Sequence, residues 1–311
     1  MSEIRKSVDN PLFSIIIPTY NYAHTLERAI HSVFKQNKES FELLVINDGS
    51  KDNTEELLSD LQKKSKHHFR VINQSNRGQA AVRNLGIQVT SGKYLIFLDA
   101  DDELTENSLH NLELFIKDHS EPDFIIGAHI SVTPEGNERL RPRPPIPSNP
   151  EKRFKKYLIE DSIPVSHGAS AMHRRVFDNY KYPEKFRCVE DIPVFAYILA
   201  NFNCQSLNKP VAKIHKHSTS MRHNVDKDLS IGLDLVEEVF SNGKIPENMM
   251  KYKADYTVRR LLSLFRSLYM SGRYSQALRY YLNAVKQSPA ALLHIASLRK
   301  AIRSAIYCIW K

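Results

Sequence analysis

The first half of this chain alternates short apolar segments with amphipathic segments of helical length. The apolar segments are rich in Ile, Val, Leu and Phe and span residues 13–18, 42–47, 69–73, 94–98 and 123–130. Between them, sequences such as AHTLERAIHSVFKQ place Leu26, Ile30 and Val33 on one helical face. Strands that alternate with such helices favour βα units. We therefore predict an α/β fold of the Rossmann-like type, with a mostly parallel sheet and helices on both faces.

Polar residues follow each of the first four predicted strands. The sequences at these positions are PTYN, NDGS, NQSNRG and DADD. The carboxyl ends of parallel strands lie at one edge of a sheet, and ligands of such sheets bind beyond that edge. We therefore predict that this edge is the functional site.

The segment YLIFLDADDEL ends a buried-strand pattern in three carboxylates, those of Asp99, Asp101 and Asp102. Crowded carboxylates repel one another unless a metal ion, a bound diphosphate with its metal, or basic side chains lie among them. Hard cations such as Mg²⁺ and Mn²⁺ prefer carboxylate oxygens and share coordination with substrate phosphates. The alternative is a solvated loop in which Asp102 or a nearby residue helps to start the next helix, and an isolated Asp-x-Asp more often has that role.

Three further segments hold candidate ligand-binding residues, and each also has a purely structural interpretation. Asp48 in NDGS could accept a hydrogen bond from a nucleobase, or Asp-Gly could be a generic turn. Tyr20 and Asn21 in PTYN offer a stacking ring and an amide, or Asn21 simply caps a strand–helix turn. Arg83 could reach a phosphate or a base, or it could be a surface arginine.

Two segments nearer the middle of the chain contain candidate proton-transfer or phosphate-binding groups. Glu190 and Asp191 begin a predicted helix, where one of them could act as a general base or both could interact with the helix dipole. In KIHKHSTSMRH, His215 or His217 could bind metal or diphosphate, although a histidine near a strand end is more often an ordinary polar residue.

Composition limits the classes of protein that this chain can represent. The chain has 311 residues, of which 41% are hydrophobic and 25% charged, as in ordinary soluble globular proteins. Its formal net charge of +9 suits phosphate-bearing ligands or an anionic membrane surface. No run approaches the length of a spanning helix, and the N-terminus is polar, so we expect no secretory signal. The three cysteines lack metal-binding spacing, and we expect reduced thiols in a cytosolic chain and no zinc site.

The chain becomes helical from about residue 231, and we place a boundary near residue 225. The segment GRYSQALRYYLNAVKQSP resembles the second helix of a tetratricopeptide unit, with Ala277, Tyr281 and Ala284 on one side. Only one such unit is visible, and solenoids need about three. We therefore predict a helical hairpin.

The last predicted helix, LLHIASLRKAIRSAIYCIWK, combines an apolar stripe with basic residues. The apolar residues at helical spacing are Ile295, Leu298, Ile302, Ile306 and Ile309. The basic residues are Arg299, Lys300, Arg303 and Lys311. Two interpretations stay open: the helix lies on an anionic membrane, or it is an ordinary amphipathic helix docked on the protein.

Taken together, these motifs resemble those of the family 2 glycosyltransferases, which are inverting enzymes of the GT-A fold. The matching segments, in the family's order, are SIIIPTYN, LLVINDGSKDNT, NRGQAAVRNLGI, GKYLIFLDADDEL, ED and KIHKHSTS. Each is weak alone, but six in the right order over about residues 12–220 are specific. The resemblance implies a GT-A catalytic domain over residues 1–225, followed by a helical region over residues 226–311.

The resemblance also implies a nucleotide-diphosphate sugar donor, with UDP as the expected nucleotide. The residues that it implies for the donor are Pro18, Thr19, Tyr20, Asn21, Asp48, Arg83, Asp99 and Ala100. Asp99 and Asp101 match the family's motif for Mg²⁺ or Mn²⁺. His215 matches the histidine of the family's Arg-x-His-x-x-Ser pattern as a further metal contact, although Lys213 replaces the arginine and His217 remains a rival.

Glu190 and Asp191 match the acid pair that supplies the family's catalytic base, and we favour Asp191. That base would take the proton of an acceptor hydroxyl as the oxygen attacks the anomeric carbon opposite the leaving nucleoside diphosphate, which inverts the configuration. We expect a carbohydrate or lipid-linked acceptor in cell-surface polysaccharide or glycolipid synthesis. We also expect a cytoplasmic protein, peripheral at the inner face of the plasma membrane, without a nucleic-acid partner.

Two other functional classes remain open at this stage. A sugar-phosphate nucleotidyltransferase would also combine a nucleotide-binding fold with acids and a metal. Such an enzyme normally has a glycine- and basic-rich loop after its first strand, where this chain has Pro18–Asn21. A nucleotide-sugar-binding protein without catalysis is the non-enzymatic alternative, against which the complete set of acids argues.

Overall fold

The computed structural model describes residues 11–37, 41–216 and 225–309, which form two compact units. The described residues of unit 1 fall within 1–148, 164–185 and 202–218, and those of unit 2 fall within 149–163, 186–201 and 219–311. The units therefore alternate along the chain between residues 149 and 218. The domain boundary near residue 225 stays a prediction.

Unit 1 is built on a sheet with nine strands in the described part of the chain. The strands are β1 (Phe13–Thr19), β2 (Phe41–Asn47), β3 (Arg70–Asn73), β4 (Tyr94–Phe97), β5 (Glu103–Leu104), β6 (Phe124–Val132), β7 (Glu138–Arg141), β8 (Ser170–His173) and β9 (Cys204–His215). Their order is β3-β2-β1-β4-β8-β6-β9-β5, and β7 pairs with β6 beside this path.

Six of the nine strands run in the same direction, which confirms the predicted mostly parallel sheet. Strands β1 to β4 pair in parallel, and so do β6 and β9. Strand β8 is antiparallel to both β4 and β6, so β4 and β6 share one direction. Strands β5 and β7 run the other way. The carboxyl ends of β1, β2, β3, β4, β6 and β9 therefore lie at one edge.

Helices cover both faces of this sheet, as predicted. They are α1 (Ala23–Phe34), α2 (Thr54–Lys64), α3 (Gln79–Val89) and α4 (Ser108–Asp118). Side chains of α1, α2 and α4 share one apolar core with Ile15 and Ile17 of β1. Ile16 points to the other face because strand side chains alternate. There Gly86 of α3 approaches so closely that an added Cβ would lie 2.8 Å from Ile16 Cγ2.

Unit 2 is helical in its described residues. Its helices are α5 (Pro150–Leu158), α6 (Asp191–Asn201), α7 (Val225–Ile231), α8 (Asp234–Val239), α9 (Lys253–Met270), α10 (Tyr274–Gln287) and α11 (Ile295–Ile309). Ala277 and Tyr281 of α10 pack with Phe265 and Leu268 of α9. Cys188, Cys204 and Cys308 are free thiols.

Helix α11 turns most of its large apolar side chains outward. Ser297, Ala301 and Ser304 form its buried side. Ile302 is 53% exposed and Ile306 is 49% exposed. Of the predicted stripe, Leu298 is partly buried and packs with α9 and α10, whereas Ile302 and Ile306 do not form the packing surface. The side chain of residue 309 and residues 310–311 lie outside the described residues.

Candidate active site

The loops that follow β1 and β2 are joined by hydrogen bonds at the carboxyl edge of the sheet. Asp48 N donates to Thr19 O at 2.9 Å, and Asn21 N donates to Ser50 Oγ at 2.9 Å. Asn21 Oδ1 accepts from Lys51 N at 2.7 Å. The segments PTYN and NDGS, which are far apart in sequence, therefore form one continuous surface.

Asp48 uses its carboxylate to hold the loop between β3 and α3. The side chain is 4% exposed. Its Oδ1 accepts from Gln74 Nε2 at 2.7 Å and from Arg77 N at 2.8 Å, and its Oδ2 accepts from Gly78 N at 2.8 Å. Three hydrogen bonds to a buried carboxylate fix the position of that loop strongly. Contact between Asp48 and a nucleobase stays a prediction.

Position 49 requires glycine because the loop after β2 lies very close to the loop between β3 and α3. Its φ of +72° lies in the left-handed region, which favours glycine. A Cβ at this position would lie 2.9 Å from Asn76 N and 3.2 Å from Gln74 O, both backbone atoms. The Asp48-Gly49 pair thus forms a turn, which was one of the two alternatives that the sequence left open. The same pair also positions the loops of the candidate site.

The acidic loop after β4 contains the crowded carboxylates that the sequence predicted. Asp102 is 3% exposed, and its Oδ1 accepts from His215 N at 2.9 Å. Burial raises the pKa of Asp102 well above its usual range, and the charges of Asp99 and Asp101 raise this pKa further. Asp99 and Asp101 themselves remain partly exposed. The loop therefore combines one buried acid that fastens β9 with two acids at the surface.

Arg83 lies beneath this acidic loop rather than on the surface. Its side chain is 3% exposed, which excludes the surface-arginine interpretation. Arg83 Nη2 lies 3.6 Å from Asp99 Oδ1 and 3.4 Å from Gln79 Oε1. Its guanidinium carbon is 5.5 Å from the centre of the Tyr182 ring. The structure therefore brings together two residues that the sequence assigned to the donor, Arg83 and Asp99.

Arg28 and Glu103 brace the acidic loop, and sequence reasoning missed both. Arg28 Nη2 donates to Asp101 O at 2.7 Å, and Arg28 Nε lies 3.3 Å from Glu103 Oε1. His215 Nε2 lies 2.8 Å from the same Glu103 oxygen. Nothing in the local sequence of α1 distinguishes Arg28 from other surface cations. His217, the rival of His215, lies outside the described residues.

Tyr22 is a third residue that the sequence did not single out. Burial raises the pKa of its hydroxyl, and the charges of Asp101, Asp99 and Asp102 raise this pKa further. The Tyr22 hydroxyl is therefore close enough to the acidic loop to be affected by its negative charges. Tyr20, which the sequence did single out, is 39% exposed.

Three other predicted donor residues are buried. Pro18 belongs to β1, and Thr19 is 2% exposed, with no hydrogen-bond partner for its buried hydroxyl within residues 11–37, 41–216 and 225–309. Ala100 is 4% exposed, and its methyl group belongs to the core shared with α1 and α4. A contact from Ala100 to a ligand would therefore have to use its backbone.

In unit 2, the two candidate bases differ in their surroundings. Glu190 is 3% exposed, and its Oε2 accepts from Cys188 N at 2.9 Å. Asp191 is the first residue of α6 and is only half-buried. Burial raises the pKa of Tyr157, and the charge of Asp191 raises this pKa further. Glu190 thus stabilises its own turn, whereas Asp191 lies in the first helical turn beside a buried phenol.

The acidic loop could hold a divalent cation through two carboxylates rather than through a complete set of protein ligands. Within the described part of the chain, no group of three or more His, Cys, Asp and Glu side chains is arranged to hold a metal, so Asp99, Asp101 and His215 do not form a three-residue cage. Mg²⁺ is usually held by one or two carboxylates together with substrate phosphates and water. A bound cation would also reduce the repulsion between the carboxylates of Asp99, Asp101 and Asp102, which contributes to the raised pKa of Asp102. Asp99 and Asp101 are the residues that fit.

Comparison with known proteins identifies the family. The family model described as glycosyl transferase family 2 matches residues 14–181, more than half of the chain. The chain belongs to this family. A Rickettsia felis protein named an uncharacterized glycosyltransferase is 32% identical over 201 residues, which are 65% of this chain and 32% of that protein. A Rickettsia bellii protein of the same name is 42% identical over 112 residues, 36% of this chain and 16% of its own length. The chain thus spans a third or less of these two relatives.

Solved structures confirm the GT-A fold. The crystal structure of Staphylococcus aureus TarS 1–349 superposes with a TM-score of 0.66 at 18% identity, covering 94% of this chain and 88% of that one. The same TarS fragment in complex with UDP-GlcNAc also gives 0.66, at 19% identity and the same coverage. At this identity the likeness shows the fold alone. No helix of this glycosyltransferase-family chain is both long and apolar enough to cross a bilayer, within residues 11–37, 41–216 and 225–309.

Proposed function

We propose that this chain is an inverting glycosyltransferase that moves a sugar from a UDP-sugar to an acceptor hydroxyl. The observation that supports this most strongly is the carboxyl edge of unit 1. There, the acidic loop with Asp99 and Asp101 lies against the buried Arg83, and the joined loops of PTYN and NDGS belong to the same edge. A site with a metal-binding acid pair, a buried cation and polar loops suits a nucleotide diphosphate.

The donor would be held mainly by unit 1. In this proposal the exposed Tyr20 stacks on the nucleobase, and Asn21 and Thr19 contact the nucleoside. Asp48 positions the loop that begins α3 and accepts a hydrogen bond from the base. Arg83 supports Asp99 and interacts with the diphosphate. The UDP-GlcNAc complex of TarS, which has the same fold, supports UDP as the nucleotide.

Asp99 and Asp101 would hold Mg²⁺ or Mn²⁺ together with the diphosphate oxygens. Such a cation, when bound, offsets the charge that grows on the leaving nucleoside diphosphate. Arg28 keeps the acidic loop in position by donating to Asp101 O, and Glu103 connects Arg28 with His215. His215 is the third residue that we assign to this site, through its attachment to the loop.

Asp191 would be the general base. In this proposal Asp191, which is half-buried at the start of α6, meets the acceptor hydroxyl, because Glu190 is more deeply buried and accepts from a backbone N–H. Asp191 would take the proton of the hydroxyl while its oxygen attacks the anomeric carbon. Attack opposite the leaving group inverts the configuration in a single displacement.

The acceptor would be a carbohydrate or a lipid-linked saccharide in the synthesis of a surface polysaccharide or glycolipid. Helix α11 supports contact with a membrane, since Ile302 and Ile306 are exposed beside the cationic Arg299 and Arg303. An exposed apolar stripe with neighbouring cations is the pattern of helices that lie on anionic bilayers. We propose peripheral attachment at the inner face of the plasma membrane through this helix.

A panel of nucleotide sugars with Mn²⁺ tests the activity. Release of UDP from one of them, faster than without protein, is the expected result. Formation of a nucleotide sugar and pyrophosphate from a nucleoside triphosphate and a sugar phosphate would instead establish a nucleotidyltransferase. Binding of a nucleotide sugar without any turnover, tested with acceptor extracts present, would contradict catalysis.

Substitution of the two candidate bases tests the mechanism. We expect Asp191→Asn to lower transfer at least about 100-fold while the dissociation constant for the UDP-sugar changes little, because general-base catalysis contributes on the order of 10²–10⁴-fold. Asp234→Asn is the control, since Asp234 also begins a helix of unit 2 but is exposed. If Asp191→Asn keeps its activity and Glu190→Gln loses it, Glu190 is the base.

A further inference from the structure

Basic side chains gather where β6, β7 and β9 meet in unit 1. This β6–β7 basic surface consists of His129, Arg139, Arg141, Arg143 and Lys216. In the antiparallel ladder, His129 lies opposite Arg141, so their side chains point to the same face. Arg139 lies opposite Ser131, two residues further along β6, and therefore extends the same row.

Hydrogen bonds fix the buried Arg143 side chain and the backbone of Arg143 and Lys216 in this surface. Arg143 is 5% exposed, and its Nε donates to Gly127 O at 3.3 Å while its backbone N donates to Asn208 Oδ1 at 2.9 Å. Lys216 N donates to Val132 O at 2.9 Å and so continues the ladder beyond β9. The side chains of Arg139 and Lys216 are exposed. These cations are therefore presented on a fixed part of the sheet.

No carboxylate neutralises the surface within the described residues. Arg139, Arg141 and Lys216 have no ion pair there, whereas the neighbouring Lys213 is paired with Glu138 at 2.5 Å. Burial lowers the pKa of His129, and the charges of Arg143, Arg141 and Lys216 lower it further, as expected for an imidazole among cations. An anion bound here would relieve the mutual repulsion of these groups.

The surface adjoins the edge that holds the acidic loop. Lys216 directly follows His215, whose backbone N donates to Asp102 Oδ1. Successive residues of an extended chain point to opposite faces, so Lys216 faces away from the side on which His215 meets Glu103. The basic surface is therefore next to the donor-binding edge but on the other face of β9.

We propose that the β6–β7 basic surface binds phosphate groups of the acceptor. This inference rests on the proposed function, and it names the acceptor as a phosphate-bearing molecule. Arginine is suited to such groups because its planar guanidinium donates two parallel hydrogen bonds to phosphate oxygens. Two sources share this chemistry: phosphodiesters within a saccharide polymer and the diphosphate of a lipid carrier.

Binding of two probes, measured by fluorescence anisotropy with UDP and Mg²⁺ saturating the donor site, tests the proposal and separates the sources. One probe is a labelled oligosaccharide that carries phosphodiesters, with a glycosidically linked oligosaccharide of the same length as the uncharged reference. The other is a labelled isoprenyl diphosphate in neutral micelles. We expect at least one phosphorylated probe to bind, and the probe that binds identifies the source. Failure of both probes to bind the native protein would overturn the proposal.

The triple variant Arg139→Gln/Arg141→Gln/Lys216→Gln removes the three accessible cations and leaves the buried Arg143 in place. We expect its dissociation constant for the phosphorylated probe to rise at least about tenfold, since three charge-assisted contacts are lost. UDP-sugar binding and acceptor-independent UDP release should stay within about twofold of the native protein. A comparable loss of UDP-sugar affinity would overturn the proposal, because the surface would then belong to the donor site.

The triple variant Lys63→Gln/Lys64→Gln/Lys117→Gln is the matched control. It removes the same number of positive charges from unit 1, at exposed positions on α2 and α4. We expect it to bind the phosphorylated probe as the native protein does. Equal losses in both triple variants would show attraction by net charge alone and would overturn the proposal.

The NMR signals of the His129 ring locate the bound probe. They are assigned by their absence in His129→Gln, and we expect them to shift when the phosphorylated probe is added. Probe binding without any change at His129 would contradict binding at this surface. If the native protein binds the probe at His129 but turns over no nucleotide sugar, the proposed transferase activity fails while the phosphate-binding surface stands.

Discussion

The carboxyl edge of unit 1 and the last helix of unit 2 are both exposed, but they are built in opposite ways. At the edge, side chains such as Asp48 and Asp102 are buried and accept hydrogen bonds from the backbone of distant segments. In α11, small side chains such as Ala301 and Ser304 are buried, and Ile302 and Ile306 are left outside. The edge is held by directed polar contacts, whereas α11 packs through its small residues and Leu298.

This difference indicates two kinds of function for exposed surface. Directed hydrogen bonds fix the positions of donor and acceptor groups, which a nucleotide site requires. An apolar stripe on a helix has no such directionality and suits a fluid surface such as a bilayer. Substitutions of the buried carboxylates at the edge should therefore change chemistry and folding together, while substitutions on the outer side of α11 should change only the membrane attachment that we propose.

Asp101→Ala should show the largest effect. Loss of one of the two carboxylates that we propose as ligands of the cation should lower transfer at least about 100-fold, as measured by UDP release with Mn²⁺ at saturation. Thermal stability should hardly change, because the Asp101 side chain is partly exposed. Asp60→Ala, on the exposed side of α2, is the control and should be fully active. Full activity of Asp101→Ala would remove Asp101 from the metal role.

Asp48→Asn tests whether the edge depends on directed polar contacts. The amide NH₂ would replace one of the two oxygens and would face the N–H of either Arg77 or Gly78, so the free energy of unfolding should fall by about 1–3 kcal/mol in urea denaturation. Affinity for the UDP-sugar should fall with it, because the loop before α3 is released. Unchanged stability would mean that these hydrogen bonds do not hold the loop.

Two glycine substitutions test how closely the loops at the edge approach one another. Gly49 and Gly136 both have positive φ, but an added Cβ at Gly136 would meet no atom within 4 Å. Gly136→Ala should cost about 1 kcal/mol of unfolding free energy through backbone strain alone. Gly49→Ala should cost at least about 1 kcal/mol more, because its Cβ meets Asn76 N at 2.9 Å. Equal costs would show that the loops are not closely apposed.

The outer side of α11 should give the smallest effect on the enzyme. Ile302→Ser/Ile306→Ser should change the free energy of unfolding by less than about 0.5 kcal/mol per site and leave UDP release unchanged. Binding to vesicles that contain phosphatidylglycerol, measured by sedimentation, should weaken about tenfold or more.

Leu298→Ser provides the contrast within the same helix. Leu298 is partly buried and packs with α9 and α10, so its replacement should destabilise unit 2 by about 1–3 kcal/mol. If the isoleucine variant unfolds as readily as this one, the stripe packs inside the protein. If it binds vesicles as well as the native chain does, α11 does not attach to membranes.

Sequence order predicted which loops meet at the edge, because the carboxyl ends of parallel strands must converge. It could not predict that Arg83 is buried under Asp99, or that Arg28 and Glu103 brace the acidic loop. Those contacts depend on the side-chain directions of α1 and α3, which spacing does not determine. Periodicity likewise found the apolar stripe of α11 but not its outward direction, since Ser297, Ala301 and Ser304 offer an equally regular small-residue face.

The most direct test of the account is a crystal structure with a UDP-sugar and Mn²⁺, in which anomalous scattering locates the metal. We predict an anomalous peak beside Asp101 and Asp99, bridged to the diphosphate, with the nucleoside against Tyr20 and Asn21. A nucleotide bound elsewhere, with no metal at the acidic loop, would contradict the central claim.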